Sequence, residues 1–189
     1  MVIKAMLNMF SPAGRSGRLS VLIFHRVASK LDPIFPGEMH ARRFDEVCAS
    51  IKSWFNVLPL DVAVLHLKSG TLPARAACIT FDDGYADNHD VALPILQRHG
   101  LPATFFISPG FLDGGCMWND TVIEALRFSP GISLDLGELG AYAIVTPGER
   151  AVAIGAIIGK IKYLPAPERL AAAQRIADVA QVNPPNNLM

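Results

Sequence analysis

The chain lacks an excess of charge of either sign: 17 Lys and Arg balance 17 Asp and Glu. Without a surplus of positive charge it has no long-range attraction for nucleic acid or anionic lipid, so neither is an expected partner. Cysteine is scarce. Cys48, Cys78 and Cys116 are odd in number and widely spaced, and no CxxC occurs. This excludes a disulfide framework and a thiolate zinc site and leaves three small buried or half-buried residues. No apolar run approaches the roughly 18 residues of a membrane span. The N-terminal stretch after Lys4 is interrupted by Asn8 and broken by Ser11, Pro12 and Gly14. A secretory signal needs an unbroken apolar run of about 7–15 residues, so the expected compartment is the cytoplasm. There is no phosphate-cradling glycine loop, since Gly114-Gly115 stands alone, and there is no internal repeat.

What is present suits a globular α/β protein. The 189 residues are 51% apolar, enough for one domain with a sizeable core. After a lead segment, 1–18, the run LSVLIF at 19–24 reads as a buried strand. Phe44, Val47, Cys48 and Ile51 then share one helical face within 40–54. A short strand follows within 55–60, and a helix over 60–68 is closed by Gly70. The segment ACITF at 77–81 is a strand, 87–99 a helix strained by Pro94, and ATFFI at 103–107 a strand. Strand, helix and strand in succession predict parallel βα units. Further on, Thr121 and Glu124 are spaced as a capping box for a helix over 120–128. ISLDL and YAIV read as short strands, and Thr146-Pro147-Gly148-Glu149 as a second capping box with proline in the first helical turn. A last helix follows Pro167, and the final residues from Asn183 are a loop.

The chemistry concentrates in Ile79-Thr80-Phe81-Asp82-Asp83-Gly84-Tyr85. Two adjacent carboxylates stand where an apolar strand ends, the place where parallel α/β folds bind ligands. Neighbouring strand residues point to opposite faces. Both acids therefore reach one site only if the backbone turns sharply, and Gly84 permits the turn. A cation would hold one carboxylate ionised while the other acts as a general base. The same three residues are also ordinary turn composition.

The run ITFDDGYADNHDVALPILQRHGLPATFFISPGFLDGG closely resembles the first motif region of the polysaccharide deacetylases, the NodB-homology family (carbohydrate esterase family 4). VLIFHRV precedes it and Met117-Trp118-Asn119-Asp120 follows, so the resemblance runs over about 19–120. It implies an α/β fold, a partial and distorted (β/α) barrel at 19–189, and metal-dependent hydrolysis of N-acetyl groups on a polysaccharide or oligosaccharide. It also implies that Asp82 is the catalytic base and Asp83 a ligand of a divalent metal, commonly zinc. Substrate contacts are expected at His25, Tyr85, Asn88 and Trp118. Arg26 reads as a surface salt bridge, and His89 and His99 as structural.

One departure matters. The five histidines are His25, His40, His66, His89 and His99; no two are four apart and none follows residue 99. The family's His-x-x-x-His pair, its Arg-Pro segment and its leaving-group histidine are missing. The resemblance thus implies a truncated chain with an incomplete metal site, inactive by itself, whose unpaired strand edges favour self-association. Two rivals stand beside it. One is a non-catalytic remnant that binds glycan or a partner chain. The other is a Mg²⁺-dependent phosphoryl transferase, which the missing glycine loop disfavours.

Overall fold

A computed structural model describes residues 2–189. The chain forms two compact units, residues 1–31 with 38–109, and residues 32–37 with 110–189. None of its described helices is long and apolar enough to cross a membrane.

The first unit holds a parallel sheet. After helix α1 (Val2–Phe10) come β1 (Ser20–Phe24), α2 (Ala41–Trp54), β2 (Asn56–Val57), α3 (Leu60–Ser69), β3 (Ala76–Phe81), α4 (Leu93–His99) and β4 (Thr104–Phe105). β3 is central. It pairs with β1 on one side, and with β2 and β4 at opposite ends of the other, always in parallel. All six of its residues are buried, which is why ACITF shows no alternation: a strand covered on both faces has no polar side to keep. β1, with the sheet on one side only, alternates half-buried and exposed residues. The α/β class and its parallel βα units are as the sequence implies. β2 and β4 are shorter than the predicted strands, at two residues each.

α2 buries Phe44, Cys48 and Ile51 against the sheet, the face predicted from their spacing. α3 ends at Gly70 in the left-handed conformation, where a glycine meets no Cβ penalty. The helix carrying Pro94 resolves its strain by changing pitch. Its first part, Asn88–Ala92, is a single π-turn, and α4 continues from it without a break. Proline lacks an N–H and crowds the carbonyl four residues back, and a widened turn accommodates both.

The core of this unit is partly aromatic. Phe24, Phe81 and Phe105 occupy the same level of three neighbouring strands. Phe24 and Phe105 stack on Phe81 at 5.3 and 5.0 Å, and Phe44 of α2 meets Phe24 and Phe81 edge-on at 5.2 and 5.8 Å. Such pairs contribute about 0.5–1.5 kcal/mol each beyond simple burial. They also fix the height at which the strands end.

The second unit packs α5 (Trp118–Phe128), α6 (Pro147–Ile161) and α7 (Ala166–Val179) with an antiparallel hairpin of β5 (Ser133–Asp135) and β6 (Ala141–Ala143). Ile154, Ile157 and Ile161 of α6 and Ala172, Ala173, Ile176 and Ala177 of α7 are buried in its core. The predicted capping box at Thr146 is present, with Thr146 accepting from the Glu149 N–H and Glu149 accepting from the Thr146 N–H. The box predicted at Thr121 and Glu124 is not. α5 starts earlier, with Met117 as N-cap, so Thr121 lies inside the helix and its hydroxyl donates to the Met117 carbonyl. Glu124 accepts from Arg127 instead, at 3.1 Å.

Candidate functional site

The aromatic level explains why two distant residues meet. Phe24 and Phe81 are register partners, so the residues after them, His25 and Asp82, leave the sheet side by side. The ladder continues one step further, with the Asp82 N–H donating to the Phe24 carbonyl at 2.9 Å. The His25 Nε2 and Asp82 Oδ2 lie 3.9 Å apart, ion-pair reach for a protonated ring and too long for a direct hydrogen bond. Both are open to solvent, their side chains 58% and 40% exposed.

The turn required by adjacent carboxylates is present. Asp83 has φ +74° and Gly84 φ +81°, so the chain reverses its hand at the end of β3. Left-handed backbone is uncommon for residues other than glycine, although aspartate tolerates it better than most. The turn is held on both sides: the Gly84 N–H donates to the Asp82 carbonyl at 3.0 Å and the Ser108 N–H to the Asp83 carbonyl at 3.1 Å. A Cβ on Gly84 would stand 3.0 Å from the Cα of Ile107, so glycine is needed for space as well as for φ.

Behind this turn a second group of side chains ties the ends of β1 and β3 together. Asp87 accepts from Arg26 Nε at 2.9 Å and from the Val27 N–H at 3.2 Å. The guanidinium of Arg26 also lies 4.6 Å from the centre of the Tyr85 ring. Asn88, in the π-turn, donates to the His25 carbonyl at 3.2 Å. Tyr85 and Asn88 are only 5% and 3% exposed, so these two expected substrate contacts sit beneath the surface and brace the loops. Trp118 belongs to the second unit, where Arg169 covers its ring at 5.0 Å. His89 pairs with Asp90 on the surface, and His99 with Asp45 at 2.9 Å. Hydrogen bonds from His99 and then Arg98 hold the Asp45 carboxyl below its ordinary value.

Asp87 was not visible as a site residue in the sequence. It lies in the polar run Asp87-Asn88-His89-Asp90, which has the composition of any solvated helix face, and its partners are 60 and 61 residues away. Burial pushes all three thiols up, that of Cys48 to about 11. An open groove of about 480 Å³ lies elsewhere in the unit, lined by Leu22, Phe24, Val47, Ile51 and Trp54 among others, and neither carboxylate reaches it.

The carboxylate pair, on a strained turn at the carboxyl end of a buried central strand, lies within a segment that matches a known family. Residues 69–124 fit the family model for polysaccharide deacetylase. Over that segment the chain is similar to the polysaccharide deacetylases. The protein of Bacillus subtilis named "Putative polysaccharide deacetylase YxkH" is 25% identical over 96 residues, 49% of this chain and 33% of its own length. The chain thus spans about a third of that curated relative. Solved deacetylase structures show partial likeness. The PplD deacetylase of Streptococcus pyogenes, in complex with acetate, is 24% identical with a TM-score of 0.41 over 47% of this chain and 42% of its own. A de-N-acetylase of Aggregatibacter actinomycetemcomitans is 29% identical with a TM-score of 0.43 over 50% and 39%.

The donors that a deacetylase would offer a metal fall short here. A catalytic zinc typically takes three protein ligands and keeps a position for water. Among the described residues, no three His, Cys, Asp or Glu side chains gather in a way that holds an ion. Asp83 and its neighbours therefore do not make a metal centre by themselves.

Proposed function

We propose that this chain carries the proton-accepting half of a carbohydrate N-deacetylase site, with Asp82 as the general base. The observation that carries the reading is the Asp82–Asp83 turn at the end of β3, with Asp82 open to solvent and His25 3.9 Å away. Asp82, as a carboxylate, takes a proton from a water attacking the acetyl carbonyl. The C–N bond then breaks as the proton taken up by Asp82 passes to the departing nitrogen, leaving acetate and an amine on the sugar. Asp83 is one donor toward a divalent cation, zinc by family resemblance, whose other ligands the described residues do not supply. The substrate class is an N-acetylated polysaccharide or oligosaccharide, with His25 beside the base. Self-association is proposed at the outer edge of β1, where Val21 and Ile23 are exposed.

With only part of the donor set, the 189-residue chain is expected to show little or no turnover of N-acetylglucosamine oligomers, even with added zinc. Any turnover it does show falls about 10²–10⁴-fold in Asp82→Asn, the usual contribution of a positioned base. Titration calorimetry with the same oligomers separates this reading from a glycan-binding remnant. Binding that weakens in Asp82→Asn supports it. Binding indifferent to Asp82 and Asp83 favours the remnant.

A further inference from the structure

The carboxylates and His25 come from loops that are 57 residues apart in sequence, and the strand register alone fixes only their backbones (His25 and Asp82). We infer that Asp87 is a positioning residue: with Asn88 and Arg26 it latches the His25-Arg26-Val27 turn to the loop after β3, and so holds the His25 ring beside Asp82. The inference rests on the reading of Asp82 as the base, but its geometry is independent of turnover.

Every link of the latch touches the short segment that carries His25. The Asp87 carboxylate takes the backbone N–H two residues beyond His25 with one oxygen and the Arg26 guanidinium with the other. Asn88 takes the carbonyl of His25 itself. The Arg26 side chain is clamped twice, by Asp87 and over the Tyr85 ring. The acid is well shielded, at 13% side-chain exposure, so its bonds are little weakened by solvent or salt. Asn88 is buried, and its Oδ1 lacks a hydrogen-bond partner, a cost accepted while its Nδ2 holds the His25 carbonyl. Val27, fully buried, pins the far end of the turn in the core. None of these bonds reaches the reacting carboxylate. The action of the latch on Asp82 runs through the placement of His25.

The test reads that placement directly. In the full chain, the ring resonances of His25 are compared with and without Asp82→Asn by two-dimensional proton–carbon NMR at one fixed pH. In the native background, Asp82→Asn displaces them. In Asp87→Ala, and in Arg26→Met, that Asp82-dependent displacement is lost while the Ile79 methyl signals of the core stay in place. An undiminished displacement in these variants overturns the inference. Should Asp87→Ala fail to fold, Arg26→Met decides alone, because Arg26 is 36% exposed and its removal spares the Val27 bond. Failure of the deacetylase reading shows separately, as saccharide binding indifferent to Asp82 and Asp83.

Discussion

At the scale of single residues, the site is a place where backbone comfort is given up for the position of two carboxylates. Asp83 at φ +74° occupies a conformation that costs most residues roughly 1–2 kcal/mol, and Gly84 follows it at +81°. Asp83→Asn keeps the fold, because asparagine tolerates the left-handed region as aspartate does. Gly84→Ala loses about 1–2 kcal/mol from φ alone, and more because Ile107 must move from a contact of 3.0 Å. Urea unfolding of the two variants checks the contrast; a Gly84→Ala variant as stable as the native chain would mean that the turn relaxes freely. This part of the site was legible in the sequence, because an apolar run ending in Asp-Asp-Gly states both the strand and the turn. Asp87 was not, because a carboxylate that bonds across 60 residues leaves no local pattern.

At the scale of elements, the same pattern had two outcomes. Thr-x-x-Glu occurs at Thr121 and at Thr146, and only the second is a capping box. The difference lies upstream. Pro147 cannot donate an N–H and has its φ preset for a first turn, so α6 begins there and nowhere earlier. Nothing stops α5 from extending back to Trp118, which moves Thr121 inside the helix. Thr146→Ala is therefore expected to cost about 0.5–2 kcal/mol, the range for a lost N-cap. Thr121→Ala removes a hydroxyl bonded to Met117 and near Cys116 but no cap, and is expected to cost less. Thermal melts of the two variants give the comparison; equal losses would mean that Thr121 does cap. Similarly, Pro94 announced strain within a helix, but whether the helix would kink, break or widen into a π-turn depended on packing of its buried face at Ala92, Ile95 and Leu96.

At the scale of the whole molecule, the order of strands and helices announced a parallel α/β sheet, since apolar runs alternating with amphipathic helices have few other solutions. The membership of residues 32–37 in the second unit was not announced, for they lie in sequence between β1 and α2. What holds them there is chemical. Ile34 is buried in the second core, and Asp32 receives two bonds from Arg127, at 2.8 and 2.7 Å. Arg127 in turn donates to Glu124, while Arg150 donates to the carbonyls of Leu126, Arg127 and Ser129 that end α5. The Arg127 hydrogen bonds hold the Asp32 carboxyl below its ordinary value, against the opposing effect of burial. The sign follows directly. The folded state favours the carboxylate, so the stabilisation is complete above the ordinary aspartate range and is lost as pH falls through the lowered folded value. At neutral pH, Asp32→Asn leaves Arg127 with a poorer partner and costs the second unit about 1–3 kcal/mol. That difference from the native chain shrinks as pH falls through the lowered folded value, where the native Asp32 also becomes protonated. Trp118 fluorescence in a Trp54→Phe background follows the unfolding of this unit alone, Trp54 and Trp118 being the two tryptophans of the chain. A stability gap that stays constant from neutral to acid pH would show that the Asp32 charge is not what ties 32–37 into the second unit, leaving Ile34 and Phe35 as the anchor.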